Sequence, residues 1–581
     1  MLAGMASPVF GFADLHCHVM AHLGFGGHLL AGFPDGEISQ ALARCDIHLH
    51  GPWGLGQFGS DWPLVQAFIE GGLGHGPCGH GTYADWPRFT TRIHQQIFVD
   101  WLKRAHDGGL RLLCSVAVNN ELLGSQVKRR GLPVDSDETS IEKQMRELRR
   151  FTERHAEWMG LALSAAQARQ LIASGKLAVV AGVEVDSLDS LLGSREALNK
   201  QPLALEHLPR ILQWLREQGF RMLTPLHLAN NSFGGAAVYD DKFNLLNHFL
   251  RGRFFDVEGR AGVGFRLGQD LDLETRAAVA LYALKNKAHY PSGYALNARG
   301  QGHINRLGLT RTGETFLREA MRQGFILDVD HMSEHCTDAV LSLAEGARYP
   351  VVASHCAFRD QGLAPEETSL SSKRAHEGMK TREQARRILA LGGLLAPITH
   401  QHEVKDLPGS TVANDCADSS KTWAQSYQYA LGVLREVGSG GVGMGTDFNG
   451  LNQQPGPRYG PDAAHGLRND SLRRKRRPVQ QQLQRNHPPL PYAGTMYRTQ
   501  VPFAPHRVGS RTFDFNTDGL AHIGLLPDFI RDLVHVGMTD AQMDPLFSSA
   551  EAFLHMWEAC ESRGADLLAG ELLDAATPRL S

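Results

Sequence analysis

The chain has 581 residues, a net charge of -3 and 8 cysteines. Its length far exceeds the ~250 residues at which one core usually stops growing, which predicts several domains or one heavily elaborated domain. The near-neutral charge gives no whole-molecule case for nucleic acid or an anionic membrane. No apolar stretch approaches the ~20 residues of a membrane helix, and "MLAGMASPVFG" has neither the basic start nor the long apolar centre of a secretory signal. The cysteines form no CxxC pair and lack the density of a disulfide scaffold, so a reducing, cytoplasmic location is the expectation.

In chain order, short apolar runs that end in polar residues alternate with helical patterns. The runs are "FADLHCH" (12–18), "LRLLCSVAVNN" (110–120), "LAVVAGVE" (177–184), "FRMLTPLH" (220–227), "FILDVDH" (325–331), "YPVVASH" (349–355), "GGLLAPITH" (392–400) and "GVGMGTD" (441–447). Near-continuous apolar runs of this length suit strands buried on both faces. Between them, "SIEKQMRELRRFTERHAEWMGL" (140–161), "LEHLPRILQWLREQGF" (205–220), "TRTGETFLREAMRQGF" (310–325) and "TREQARRILALGG" (381–393) place apolar residues at helical spacing, the last two ending at glycine. The alternation predicts an α/β fold, a (β/α)8 TIM-type barrel with its site at the C-terminal strand ends. The expected organisation is one elaborated domain over 1–581, with insertions at approximately 19–109 and 453–512.

Side chains on a strand alternate between faces, so His16 and His18 point the same way and Cys17 the other. Two neutral imidazoles at the end of a first barrel strand make a pincer for a transition metal, zinc by default. Such a pair is weak evidence alone, because the chain has 28 histidines. Its company strengthens it: Glu184, His331, His355 and Asp447 each close another predicted strand and would meet at the same mouth. Imidazoles with carboxylates from several strands are what a two-metal hydrolytic site requires.

"AVVAGVEVDSL", "NRLGLTRTGETFLREAMRQGFILDVDHMS", "PVVASHCAFR" and "VGMGTDFNG" resemble, in order and spacing, segments of the membrane (renal) dipeptidase family of zinc peptidases within the amidohydrolase superfamily. The resemblance runs from about 177 to 450 and resumes near "AEAFLHMWEAC" (550–560). It implies that His16, His18 and a bridging Glu184 hold one zinc ion, and that His331 and His355 hold a second with Glu184. Asp447 would be the proton shuttle. His227 matches the histidine that polarises the substrate carbonyl; read without the resemblance, it is equally a core histidine bonded to the backbone. The implied mechanism is attack by a hydroxide that bridges two ions, with no organic cofactor.

Two departures qualify the transfer. The family's first pair is usually His-x-Asp, whereas this chain has His16-x-His18, which adds positive charge and admits a single-ion site. The family's carboxylate-gripping arginine falls near Glu377 or Gly378 in "AFRDQGLAPEETSLSSKRAHEGMKTREQ" (357–384), leaving Arg359 and Arg374 as substrate-binding candidates. His400 and His402 of "THQHE" reach the pocket or are plain loop residues. The Gly/His/Trp-rich stretches 44–62 and 69–86 read as lids or specificity walls. "LRRKRRP" (472–478) reads as a solvated insertion rather than a nucleic-acid or lipid contact. A turn and a helix starting near Pro527 are expected in 513–533.

The expected function is metal-dependent cleavage of the amide bond of a dipeptide or similar small amide. Lactone, ester or cyclic amide hydrolysis, and a non-catalytic binding barrel, remain the alternatives. Expected partners are a small-molecule or dipeptide substrate, with neither nucleic acid nor membrane; a homodimer is compatible with the sequence.

Overall fold

The computed structural model describes residues 8–27, 29–43, 45, 78–127, 135–193, 203–269, 271, 273–291, 294, 301–368, 374–463 and 488–576. Each of the eight apolar runs contains a strand. They are β1 (Phe12–Cys17), β2 (Leu110–Asn119), β3 (Leu177–Val185), β4 (Met222–Thr224), β5 (Ile326–Leu327), β6 (Val352–Cys356), β7 (Leu394–Pro397) and β8 (Gly441–Val442). Strands β1 to β5 pair in parallel in chain order, and β6, β7 and β8 form a second parallel set. Single parallel bridges tie Asp14 to Met444 and Asp328 to Val352, at the two edges where the sets meet. The result is an α/β fold around a curled parallel sheet. Every residue of β3 is buried, as its uninterrupted apolar run requires.

Helices separate the strands: α1 (Val99–Asp107), α2 (Asp137–Arg154), α3 (Ala165–Ala173), α4 (Leu208–Gln218), α5 (Arg311–Arg322), α6 (Glu334–Ala347), α7 (Arg382–Ala390), α8 (Ser420–Val437) and, after β8, α9 (Ser549–Ala576). Their starts follow local chemistry. Thr381 and Gln384 form a reciprocal capping box on α7, and Ser136 accepts the Thr139 N–H at the start of α2. Gly324 and Gly392, at φ +71° and +79°, follow the ends of α5 and α7, so the expected glycine stops are present. One boundary differs. The periodicity carried α2 to residue 161, but the helix ends at Arg154 and Met159–Leu161 pairs with β3 as a short strand. Sheet pairing there satisfies the backbone better than a further helical turn on the surface would.

The described ends of both expected insertions pack into the main core. Met20, Trp86, Trp101, Leu490 and Phe503 belong to the same buried apolar cluster as the strands. Arg458 and Asp532, both buried, form an ion pair at 2.5 Å. A helix starts at Leu526 with Pro527 in its first turn, as expected. "LRRKRRP" and most of the Gly/His/Trp-rich stretches lie outside the described residues. Among the described residues, no helix is long and apolar enough to cross a membrane.

Where the two strand sets approach the site, space is limiting. A Cβ at Gly445 would stand 2.1 Å from the Ser354 carbonyl oxygen. Gly445→Ala should therefore push the β6 and β8 ends apart and cost about 1–3 kcal/mol. Chemical denaturation should show a lowered midpoint; an unchanged midpoint would mean the close approach carries no weight.

Candidate metal centre

Six of the sequence-predicted residues meet at the C-terminal ends of the strands. His16 and His18 leave β1 on the same side, with their Nε2 atoms 3.2 Å apart. The Nε2 atoms of His331, just beyond β5, and His355, on β6, are 2.8 Å apart. Between the two pairs lies the Glu184 carboxylate from β3. Its Oε2 is 3.3 Å from His16 Nε2 and 3.8 Å from His18 Nε2, while Oε1 is 3.1 Å from His331 Nε2 and 3.9 Å from His355 Nε2. One oxygen thus faces each imidazole pair. Asp447 Oδ1 is 3.1 Å from His18 Nε2.

The imidazoles are oriented from behind. His18 Nδ1 lies 2.8 Å from the Val116 carbonyl, which can only accept, so Nδ1 carries the hydrogen and Nε2 the lone pair. His331 Nδ1 is 2.9 Å from the Tyr239 hydroxyl. The Ser354 hydroxyl is 2.9 Å from Nδ1 of both His16 and His355, and donates to Asp328 Oδ2 at 2.5 Å. With its hydrogen given to Asp328, Ser354 has two lone pairs for two ring N–H donors. Both Nε2 atoms then face the Glu184 carboxylate, one from each pair, where each can carry a proton or bind an ion.

This donor set fits divalent metal ions. Two nitrogens on one tetrahedral ion at ~2.0–2.1 Å stand about 3.3 Å apart, close to the His16–His18 separation. Lone pairs facing one another at this range repel unless a cation or proton lies between them. Glu184 is buried, and its Oε1 accepts no hydrogen bond among the described residues. An oxygen left so in the interior is costly unless an ion takes it.

The charges agree. Burial works against ionisation of Glu184, but the His16, His227 and His331 charges outweigh it and hold its pKa well below the usual range. Burial likewise opposes ionisation of Asp447, and the His18 contact overcomes it and lowers the pKa. On His16 burial disfavours charge, yet Glu184, Asp447 and Asp328 lift the pKa to about 9. Burial, then the charges of His16 and His331, push His355 down to about 3. Two ionised carboxylates amid five imidazoles form a pocket that attracts cations. Two of these residues also carry backbone strain: His331 and Asp447 sit at φ +62° and +52°, which non-glycine residues rarely adopt.

His227 stands at the edge of the cluster. Its Nε2 is 3.7 Å from Glu184 Oε2 and its Nδ1 3.2 Å from Asp186 Oδ1, with the ring edge-on to His331. The histidine is thereby placed at the site rather than in the core behind it. A cavity of about 290 Å³ opens over Glu184, His227, His331, His355 and Asp447. Arg359 and Arg374 do not line it: Arg359 is turned to Glu334 and to the Glu377 and Met379 carbonyls, and Arg374 is buried elsewhere. Among the described residues, the cationic side chains that do line it are Arg92 and Lys242. Sequence reasoning missed Ser354, Asp328, Tyr239 and Asp186. The "SH" and "DVDH" runs held a signal for the first two, since a polar residue beside a ligand on a buried strand needs a partner.

Residues 289–457 match the family model for membrane dipeptidase, peptidase family M19. No curated protein sequence matches the chain. Among solved structures, the chain is similar to the probable dipeptidase PvdM from Pseudomonas aeruginosa, at 15% identity and a TM-score of 0.43 over 81% of this chain and 89% of that one. It is also similar to a metallopeptidase from Rhodobacter sphaeroides solved with a phosphinate mimic of L-Ala-D-Ala, at 12% identity and a TM-score of 0.43 over 95% and 99% of the two chains. An amidohydrolase from Pseudomonas aeruginosa aligns at 13% identity and a TM-score of 0.40 over 80% and 93%. The matched segment contains His331, His355 and Asp447, and the chain is accordingly a dipeptidase-like metallohydrolase carrying the membrane dipeptidase signature over residues 289–457.

Proposed function

We propose that the chain hydrolyses the amide bond of a dipeptide or a similar small amide, using two divalent ions, zinc by donor chemistry, held in the mouth of a (β/α)8 barrel. The observation that carries this reading is the Glu184 carboxylate, buried with one oxygen toward each of two imidazole pairs. The bridges at Asp14–Met444 and Asp328–Val352, which join both edges of the two strand sets, support a closed barrel. One domain over 1–581 is supported by the insertion ends that share the main core.

His16, His18 and Glu184 would hold one ion, and Glu184, His331 and His355 the other. Divalent ions there would acidify a water and polarise the scissile carbonyl. The protein's own groups do the rest. Asp447, ionised and at the cavity surface, takes the proton from the attacking water and returns it to the leaving amine. His227, fixed by Asp186, donates to the carbonyl oxygen as negative charge develops on it. His18 stands where the family's usual carboxylate would, leaving the site with less negative charge against its ions. With Arg359 and Arg374 away from the cavity, a substrate carboxylate would meet Arg92, which also contacts the Leu451 carbonyl and Gln453, or Lys242, which is paired with Asp240 at 2.9 Å.

Glu184→Ala should lose the metal bound among His16, His18, His331 and His355 and, with it, activity. Asp447→Asn should keep much of its metal yet turn over roughly 10²–10⁴-fold more slowly, as measured by elemental analysis beside a dipeptide hydrolysis assay. Near wild-type turnover in Asp447→Asn would remove Asp447 from the proton path. Ser354→Ala, which frees a ring in each imidazole pair, should weaken metal binding by about 10–100-fold. Titration against a chelating indicator reads this directly, and an unchanged affinity would mean that the strand backbone alone orients His16 and His355.

A further inference from the structure

A second set of donors lies on the wall of the same cavity, beyond β7. His400 Nε2 and His402 Nδ1 are 2.9 Å apart, and on the other side of the ring His400 Nδ1 is 3.2 Å from Asp418 Oδ1, so one His400 nitrogen or the other would serve as its ligand atom. One ligand atom from each of the three residues falls within 4.8 Å of the others. His400 and Asp418 are buried, His402 is partly exposed, and both histidines line the cavity. We propose that His400, His402 and Asp418 bind a further divalent transition-metal ion, separate from the ions around Glu184.

The chemistry of the set selects the ion. Two imidazoles and one carboxylate suit zinc, iron(II) or cobalt(II) and not calcium or magnesium, which prefer oxygen throughout. Three protein ligands leave at least one coordination position, and both histidines line the cavity.

The backbone is shaped to present these side chains. His402 and Asp418 sit at φ +54° and +62°, as His331 and Asp447 do in the first centre. Such conformations cost of order 1–3 kcal/mol each and persist where surrounding structure enforces them. Here the Asp418 N–H donates to the His402 carbonyl at 2.9 Å, and the Asp418 carbonyl accepts the Gly456 N–H at 2.5 Å. Asp418 Oδ2 accepts from Gln453 Nε2 at 3.1 Å, so the carboxylate is oriented with Oδ1 toward His400. The seventh strand end thus repeats the His-x-His of the first, with a carboxylate brought from 16 residues on. An ion there would add positive charge to a wall that Arg359 and Arg374 do not reach.

This site rests on its own three residues and not on the amide-hydrolysis reading. The test loads purified wild type, His402→Ala, His402→Gln and Glu184→Ala with cobalt(II), removes loose metal by gel filtration, and measures ions per folded chain. Circular dichroism confirms folding, and His402, partly exposed, is the substitution the fold tolerates best. The expected result is one ion fewer in both His402 variants than in wild type, together with one ion retained in Glu184→Ala. Equal ion counts in wild type and the folded His402 variants would overturn the inference and leave the Glu184 centre standing. A single ion in wild type, lost in the His402 variants and kept in Glu184→Ala, would support this site and sink the two-ion centre instead.

Discussion

The Glu184 carboxylate is the group on which the site depends. An isolated carboxylate in a protein interior is expensive, and removing its partners leaves an uncompensated charge. Here it sits at the end of a strand buried on both faces, only 2% exposed at the floor of the cavity. Four strand ends supply imidazoles around it: His16 and His18 on and beyond β1, His227 beyond β4, His331 beyond β5 and His355 on β6. No two of these strand ends could move independently without exposing or stranding that charge. The arrangement is therefore also a constraint on how the strands are assembled.

That constraint is reinforced behind the imidazoles. Ser354 and Asp328 link a ring from each pair through one hydroxyl, so the two halves of the centre share a single orienting group. At the other edge, Asp14 accepts from both the backbone N–H and the hydroxyl of Thr446 at 2.9 and 2.6 Å. This fixes the segment carrying Asp447 against β1, and Gly445 permits the approach from the β6 side. Buried polar groups of this kind are safe only when fully paired. Their pairing here spans hundreds of residues of sequence, so the centre forms only once the sheet has assembled.

Much of this was legible in the sequence. The eight strands declared themselves because a strand buried on both faces needs an unbroken apolar run, and each residue of the site declared itself by interrupting such a run at its end. His16 and His18 could be placed on one face from the two-residue strand period alone. What failed to show has equally physical causes. α2 stops short of residue 161 because pairing of Met159–Leu161 with β3 is a tertiary event that periodicity does not encode. Arg359 and Arg374 were candidates by position in a loop, but loop side chains follow local partners, and Glu334 takes Arg359 away from the cavity. Arg92 reaches the cavity from the 19–109 insertion, just beyond the stretches whose composition marked them as walls of the site. The cluster of His400 and His402 was visible as a motif, while its carboxylate, Asp418, became visible only in three dimensions.

The central claim is that Glu184 bridges two ions held by imidazoles from separate strands. Anomalous diffraction at the zinc edge, from crystals grown with zinc, tests it most directly. The account predicts a peak on each side of the Glu184 carboxylate, about 3.5–4 Å apart, one within bonding distance of His16 and His18 and the other of His331 and His355. Crystals of the folded protein with no anomalous density at Glu184, or with ions that leave that carboxylate unligated, would contradict it.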